Sequence, residues 1–252
     1  MTTLGDRMKQ YEEDSEKNGC LDSRAPVVIR LDGCHFHTWV KSAKLQKPFD
    51  RRMIDAMQTT ALALCNGIQS SVMAYVQSDE ISLVLRNDQS ENADPWFGNR
   101  IQKLCSISAS ICSVAFNNRM AELTDGEAPL AYFDSRVMYM PSKKEVFNCI
   151  LWRQRDCIRN SISGLAQSVF SPKELDKKNS DEKLKMLADK MMDWESLKTD
   201  EKYGAVIHRR AMKGNYNGTE YIRKVFFVDT EFGKVDFDNL DSAYDFRMEE
   251  SK

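Results

Sequence analysis

The chain has 252 residues and a mass of 29.0 kDa, enough to bury roughly 70–75% of the surface that its unfolded form exposes. Hydrophobic residues at 42% exclude a disordered tail protein. Charged residues at 29%, with no apolar run near the roughly 20 residues a span needs, exclude a membrane helix. Thirty-six Lys and Arg against 38 Asp and Glu leave a net charge of −2, so any contact with nucleic acid must come from a local basic face. Met1–Arg7 carries no apolar h-region and Tyr11–Asp14 is acidic, which fits neither a secretory signal nor a transit peptide. A cytoplasmic location is expected, with the mitochondrion left open. Seven cysteines at positions 20, 34, 65, 105, 112, 149 and 157 include no Cys-x-x-Cys pair, and they read as buried thiols of a reducing compartment.

Ala25–Gly33 reads as a strand ending in an Asp-Gly turn. Asp50 is an N-cap for a helix in which Met53, Ile54, Met57, Ala61 and Leu64 recur at helical spacing, closed by Gly67. Two short strands follow, Ser71–Val76 and Ile81–Leu85, joined by Gln77-Ser78-Asp79-Glu80. From Trp96 to Asn117, Ser106, Ser108 and Ser110 alternate like a strand, but the length without Gly or Pro after Gly98 favours a helix. Another strand covers Ala131–Tyr139. Residues 25–140 therefore give the order β-α-β-β-α-β, an antiparallel split βαβ sheet with both helices on one face.

The second half reads as mostly helical. Ser142-Lys143-Lys144-Glu145 is a capping box for a helix to about residue 167. Ser171-Pro172-Lys173-Glu174 is a second box with Pro at the first helical position. A helix over 181–192 follows, then a hairpin whose segments Tyr203–Lys213 and Glu220–Asp229 flank Gly214–Gly218. The acidic tail after Gly233 is expected to lie on the surface. The class is α+β, with a catalytic core over 1–140, N-terminal extension included, and a helical and hairpin region over 141–252 packed on it.

This topology brings Asp32, at the end of the first strand, beside Asp79 at the hairpin tip. Two carboxylates aimed at one point repel each other, and a cation resolves the conflict. Oxygen donors of this kind suit Mg²⁺, which shares its shell with substrate phosphates. Two such ions can hold the attacking and leaving oxygens of a phosphoryl transfer. Taken singly, Asp-Gly is an ordinary turn and Ser-Asp-Glu an ordinary exposed tip. His35 and His37 have zinc-like spacing but no third partner; the alternative is a turn, Cys34-His35-Phe36-His37, whose N–H groups and His37 touch a triphosphate. Lys47 could add a charge there. Arg153, Arg155 and Arg159 on one helix, joined by Asn160, with Arg209, Arg210 and Lys213 on the late hairpin, could contact and neutralise RNA phosphates or form a solvated face.

Five segments carry a resemblance. They are Arg30-Leu31-Asp32-Gly33 with Phe36-His37, Lys47-Pro48 with Asp50, Tyr75–Glu80, Phe133–Val137 and Trp152–Asp156, in order over about residues 25–170. The chain resembles the tRNA-His guanylyltransferase superfamily, whose members add nucleotides in the 3′→5′ direction. The resemblance implies a polymerase-like palm. It implies two Mg²⁺ ions held by Asp32, Asp79 and the Gly33 carbonyl, and catalysis by Asp32 and Asp79 with Glu80. It also implies that Asp32, Gly33, Cys34, His35, Phe36, His37, Lys47, Ser78 and Asp79 hold ATP or GTP, and that the protein is a homotetramer acting on tRNA.

Where guanylyltransferases proper carry His-Ile-Asn-Asn-Leu-Tyr-Asn, this chain reads Ile158-Arg159-Asn160-Ser161-Ile162-Ser163-Gly164, keeping only Asn160. That departure resembles the template-dependent branch, which repairs 5′-truncated tRNA. The rival expectations are a guanylyltransferase adding G to tRNA-His, a catalytically silent RNA-binding palm, and a nucleotide cyclase.

Overall fold

The computed structural model describes residues 3–18, 24–88, 94–217 and 219–246. In chain order its elements are α1 (Leu4–Asn18), β1 (Val27–Gly33), α2 (Phe36–Ser42), α3 (Arg51–Gly67), β2 (Ser71–Gln77), β3 (Glu80–Leu85), α4 (Ile101–Leu123), β4 (Phe133–Tyr139), α5 (Lys143–Gln167), α6 (Ser180–Asp189), α7 (Thr199–Tyr203), β5 (Ala205–Tyr216), β6 (Thr219–Asp229) and α8 (Phe237–Tyr244). Among the described residues the strands form one antiparallel sheet of order β4-β1-β3-β2-β5-β6. Its first four strands, with α3 and α4, are the β-α-β-β-α-β unit expected from the sequence.

Strand alternation decides what each face buries. Val27, Ile29 and Leu31 of β1 join Ile81, Leu83 and Leu85 of β3 in the core beneath α3 and α4. Val28 and Val84 point the other way, with Met73 and Tyr75, into a second core shared with α1, α5 and α8. Coverage on both faces explains why β1 reads as an almost unbroken apolar run. The long α4 buries Leu104, Ser108, Cys112, Phe116 and Met120, every fourth residue, so the serine alternation seen in the sequence belongs to a helix. Asp50 caps α3 by accepting from the Arg52 N–H at 2.9 Å. Ser142 caps α5, but the Glu145 carboxylate turns away to Arg7 of α1, at 2.8 and 3.2 Å, instead of closing a capping box.

Two further expectations are corrected. Ser171–Glu174 does close on itself, the Glu174 carboxylate accepting from the Ser171 N–H and Oγ at 2.8 and 2.7 Å, yet no helix follows. The next residues are mostly exposed and Lys177 adopts φ +58°, so a helix there would bury little, and α6 starts only at the Asn179 cap. The segment after Gly233 is not merely a surface tail, because α8 buries Leu240, Ala243 and Tyr244; its acidic residues sit on the outer side of an amphipathic turn. The last residues, 247–252, and Gly218 of the late hairpin lie outside the described residues. Finally, α1 covers the sheet with a fully buried Met8, although its sequence is mostly polar.

The late hairpin extends the palm sheet. β5 pairs with β2 only through Ala205–Ile207, and then runs on with β6 alone as a two-stranded arm. Among the described residues the cysteines are free thiols, and no helix is long and apolar enough to cross a membrane.

Candidate active site

Asp32 lies in the last turn of β1, in register with Glu80 on β3 and Asp134 on β4. The two-residue turn Ser78–Asp79 joins β2 to β3, with Ser78 at φ +46°. Its backbone is stitched to β1 by the Gly33 N–H, which donates to the Asp79 carbonyl at 3.1 Å, and the Cys34 N–H ties the same corner to the residue before β4, donating to the Tyr132 carbonyl at 2.8 Å. Gly33 is required at this corner, because a Cβ there would sit 2.1 Å from the Phe36 ring.

The electrostatics single out two side chains. Burial raises the Asp32 carboxyl above the ordinary range, and the nearby Asp134 charge raises it further, against the pull of Arg30, Arg136 and Arg153. Burial likewise raises Asp79; the Ser78 hydroxyl, donating at 2.9 Å, offsets this in part, and the Asp32 charge adds to it. Among the described residues neither carboxylate takes part in an ion pair. A half-buried pair of mutually repelling carboxylates fits a cation held in common. No group of three or more His, Cys, Asp and Glu side chains converges as a ready-made metal cage among the described residues. Two carboxylates and a backbone carbonyl make an open donor set, which suits Mg²⁺ completing its shell with water and phosphate.

Other predicted residues are placed differently. Glu80 is buried and accepts from Arg153 Nε and Nη2 at 2.7 and 2.6 Å, so its oxygens face α5 and not the turn. Arg153 also donates to Asp156 at 2.8 Å and lies over the Trp152 ring at 4.7 Å. It is therefore an internal ion-pair partner and not an RNA contact, because α5 crosses the sheet face to which Glu80 points. Phe36 is core, its ring 4.9, 5.6 and 5.1 Å from those of Trp39, Phe116 and Phe133. Its side chain cannot meet a nucleotide. The turn expected over 34–37 is the entry to α2, with His35 at φ +56°; His35 and His37 are both exposed. Their N–H groups and that of Phe36, the first of the helix, have no intrahelical acceptor.

Lys47 is exposed, ahead of a cis Lys47–Pro48 peptide. Asp50 is held down to about 2 by Arg52 and by the Gln46 and Arg52 N–H groups. Arg155, Arg159 and Asn160 are exposed on α5, with Arg159 paired to Asp156. On the arm, Arg209 turns inward and donates to the Ser71 carbonyl at 2.9 Å, whereas Arg210 is exposed over the Phe227 ring.

Beside Ser78 opens a cavity of about 230 Å³ between α3, the end of β2, α5 and α7. Phe49, Met53, Met57 and Val76 supply apolar wall, and Gln77 and Asn160 supply polar groups. Sequence reasoning missed this cavity, along with Asp134 and Asp200. The first is visible only once β4 pairs with β1. Asp200 lies in a segment far along the chain and reaches the cavity through Arg51 and Gln58 of α3.

The sequence profile described as tRNAHis guanylyltransferase matches residues 5–141, more than half of the chain. The chain belongs to the tRNAHis guanylyltransferase family. Members of this family are nucleotidyltransferases, and Asp32, Gly33, Lys47, Ser78 and Asp79 all lie inside the matched segment. A bacterial tRNAHis guanylyltransferase-like protein in complex with ATP is 37% identical, with TM-score 0.74, covering 91% of this chain and 92% of that one. One in complex with GTP is 35% identical with TM-score 0.70, at the same coverage. The probable tRNAHis guanylyltransferase of Homo sapiens is 30% identical over 171 residues, 67% of this chain and 54% of the human protein. The family member described here thus spans about half the length of the curated guanylyltransferases that it matches.

Proposed function

We propose that this chain extends the 5′ end of RNA in the 3′→5′ direction, repairing 5′-truncated tRNA with a nucleotide chosen by the opposing base. The observation that carries this reading is the Asp32–Asp79 pair, half-buried and, among the described residues, without an ion-pair partner, with Ser78, the neighbour of Asp79, lining a cavity with apolar walls. The ATP and GTP complexes of the similar bacterial proteins support a nucleotide at such a site.

In the proposed sequence of steps, the RNA 5′-monophosphate attacks the α-phosphorus of ATP and pyrophosphate leaves. The 3′-hydroxyl of the incoming nucleotide then attacks the activated 5′-phosphate and AMP leaves. Asp32, Asp79 and the Gly33 carbonyl would hold two Mg²⁺ ions, which when bound neutralise phosphate charge and polarise the attacking and leaving oxygens. The N–H groups of His35, Phe36 and His37, at the start of α2 with no intrahelical acceptor, would serve as phosphate donors, and Ser78 and Lys47 would add a hydroxyl and a charge. Arg155, Arg159 and Arg210 offer exposed cations to the RNA backbone. Catalysis here is mainly positioning and charge neutralisation.

Choice of nucleotide by the opposing base, in place of addition of G alone, is supported by Ile158. It stands where guanylyltransferases carry His, and it packs against the cluster of Ile162, Leu165 and Trp194 with no polar group to offer. The test uses purified protein, Mg²⁺, ATP, all four nucleotides and a set of tRNAs lacking the 5′ nucleotide opposite each of four bases. The expected result is a one-nucleotide 5′ extension complementary to the opposing base in each case. Addition of G regardless of that base would overturn the template-directed reading.

A further inference from the structure

Beyond Ile207 the hairpin of β5 and β6 leaves the sheet as a two-stranded ribbon, in register as far as the pair Tyr216 and Thr219. Two strands alone are marginal in water, so a ribbon this long calls for something to lie on it. Its charge says what. Arg209, Arg210, Lys213, Arg223 and Lys224 stand against the single carboxylate of Glu220, in a chain whose net charge is −2. Among the described residues none of these cations is in an ion pair. A second copy offering the same ribbon across a two-fold axis would set like charges together, whereas the phosphate backbone of RNA complements them.

The two faces of the ribbon differ. Strand alternation puts Arg209, Lys213 and Glu220 on one side, which turns at its base toward the core under α3, where Arg209 donates to the Ser71 carbonyl at 2.9 Å. The other side carries Arg210, Gly214 and Tyr216, with Arg223 and Tyr221 on the opposing strand, and it holds no carboxylate between Thr219 and Val225. Tyr216 is 73% exposed and Tyr221 41%, so burial in a core accounts for neither. Tyr221 stands directly across from Gly214, and its ring covers the space that a side chain there would take: a Cβ would lie 2.3 Å from Cζ and 2.5 Å from Oη. The ring thus lies along the ribbon with one face outward. Tyr216 is its diagonal neighbour on the same side, roughly 7–8 Å away. Arg210, over the Phe227 ring at 4.6 Å, places a cation toward the base of the same row.

Cations serve any phosphate backbone, but open aromatic faces serve bases that are not already stacked within a duplex. We propose that this side of the arm binds an unpaired segment of the RNA substrate, Tyr216 and Tyr221 stacking on its bases while Arg210 and Arg223 hold its phosphates. The proposal rests on the RNA reading given above and adds which part of the RNA the arm takes.

The experiment measures, by fluorescence anisotropy at one salt concentration, the binding of the full chain to a blunt RNA hairpin and to the same hairpin carrying a short single-stranded extension. The extension is expected to tighten binding to the unaltered protein by about tenfold, within the range for stacking a single base on an aromatic side chain. The double variant Tyr216→Leu with Tyr221→Leu should lose this gain and keep its affinity for the blunt hairpin, while Tyr216→Phe with Tyr221→Phe should keep the gain. A gain that survives both leucine substitutions, an equal weakening of both RNAs, or an extension that adds nothing for the unaltered protein overturns the proposal and leaves the RNA reading standing. No binding of either RNA to the unaltered protein overturns that reading itself. Sedimentation without RNA tests the other occupant: an assembly that falls apart when both tyrosines are replaced by leucine holds them between its own copies, and that result also overturns the proposal. If the double variant melts early, Tyr216→Leu alone decides, because so exposed a side chain supports little of the fold: a reduced gain upholds the proposal and an unchanged one rejects it.

Discussion

The Gly33 N–H donates to the Asp79 carbonyl at 3.1 Å, joining residues 46 positions apart at the point where β1 meets the β2–β3 turn. This one backbone bond places Asp32 and Asp79 on adjacent chain segments, so that each carboxylate senses the other. Among the described residues neither forms an ion pair, and Arg30, Arg136 and Arg153 offset the rise at Asp32 only in part. The site therefore holds electrostatic strain that a divalent ion would remove.

Asp79→Asn relieves that strain without a metal. In the presence of a chelator the variant is expected to melt above the unaltered protein by roughly 2–4 °C, corresponding to about 1 kcal/mol in a chain of this size. The sign follows from the raised folded-state value of Asp79: the folded protein binds this proton more tightly than the unfolded chain, so its charged form destabilises the fold above that value. The advantage of Asp79→Asn is thus greatest near neutral pH and shrinks as pH falls through the raised value toward the ordinary 3.8. Added Mg²⁺ raises the melting temperature of the unaltered protein and leaves that of the variant unmoved. Thermal melts with and without Mg²⁺ between pH 4 and 7.5 measure all of this, and a variant less stable than the unaltered protein in chelator contradicts it.

Arg153 is held by Glu80 through two short charge-assisted bonds, and both side chains are largely buried. Arg153→Met leaves the Glu80 charge in the interior and is expected to cost about 3–5 kcal/mol, while the double variant with Glu80→Gln recovers a large part of it. Urea unfolding of the four proteins in the cycle gives the coupling. An unchanged urea midpoint for Arg153→Met, with weaker RNA binding, would return Arg153 to the RNA surface.

Gly33→Ala drives a methyl group into the Phe36 ring, at 2.1 Å before relaxation. Overpacking of this kind is expected to cost about 1–3 kcal/mol, and Phe36→Leu in the same chain should return part of it. Denaturant midpoints of the single and double variants decide, and equal midpoints would place the two residues out of contact.

The two arginines of the arm should separate by phenotype. Arg210 is exposed, so Arg210→Ala is expected to weaken RNA binding uniformly across sequences and to lower the salt slope by about one, with the melting temperature unchanged. Arg209 donates inward to Ser71, so Arg209→Ala should lower the melting temperature instead. Filter binding at several salt concentrations and thermal melts tell the two apart.

The palm and its carboxylates were legible because their signals are local. Asp-Gly closes a strand, a four-residue linker closes a hairpin, and the order of elements fixes which ends meet. What stayed hidden depends on surfaces that no short window shows. Arg153 looked like one of three cations on a helix until α5 crossed the sheet above Glu80. Phe36 looked like part of a phosphate turn until Trp39, Phe116 and Phe133 surrounded it. The amphipathic α8 was masked by its own acidic residues, since Leu240, Ala243 and Tyr244 are few among Asp236, Asp238 and Asp241. The cavity is assembled from α3, β2, α5 and α7, and no motif in the sequence announces it.

The central claim, that Asp32 and Asp79 act together in adding nucleotides to an RNA 5′ end, is tested most directly by single-turnover addition with Mg²⁺ on 5′-monophosphorylated and 5′-triphosphorylated truncated tRNA. Asp32→Asn and Asp79→Asn should each reduce the rate on both RNAs by at least about a thousandfold, the scale of losing a preorganised charge-stabilising group, with folding intact by thermal melt. Rates within a few-fold of the unaltered protein in either variant would contradict it.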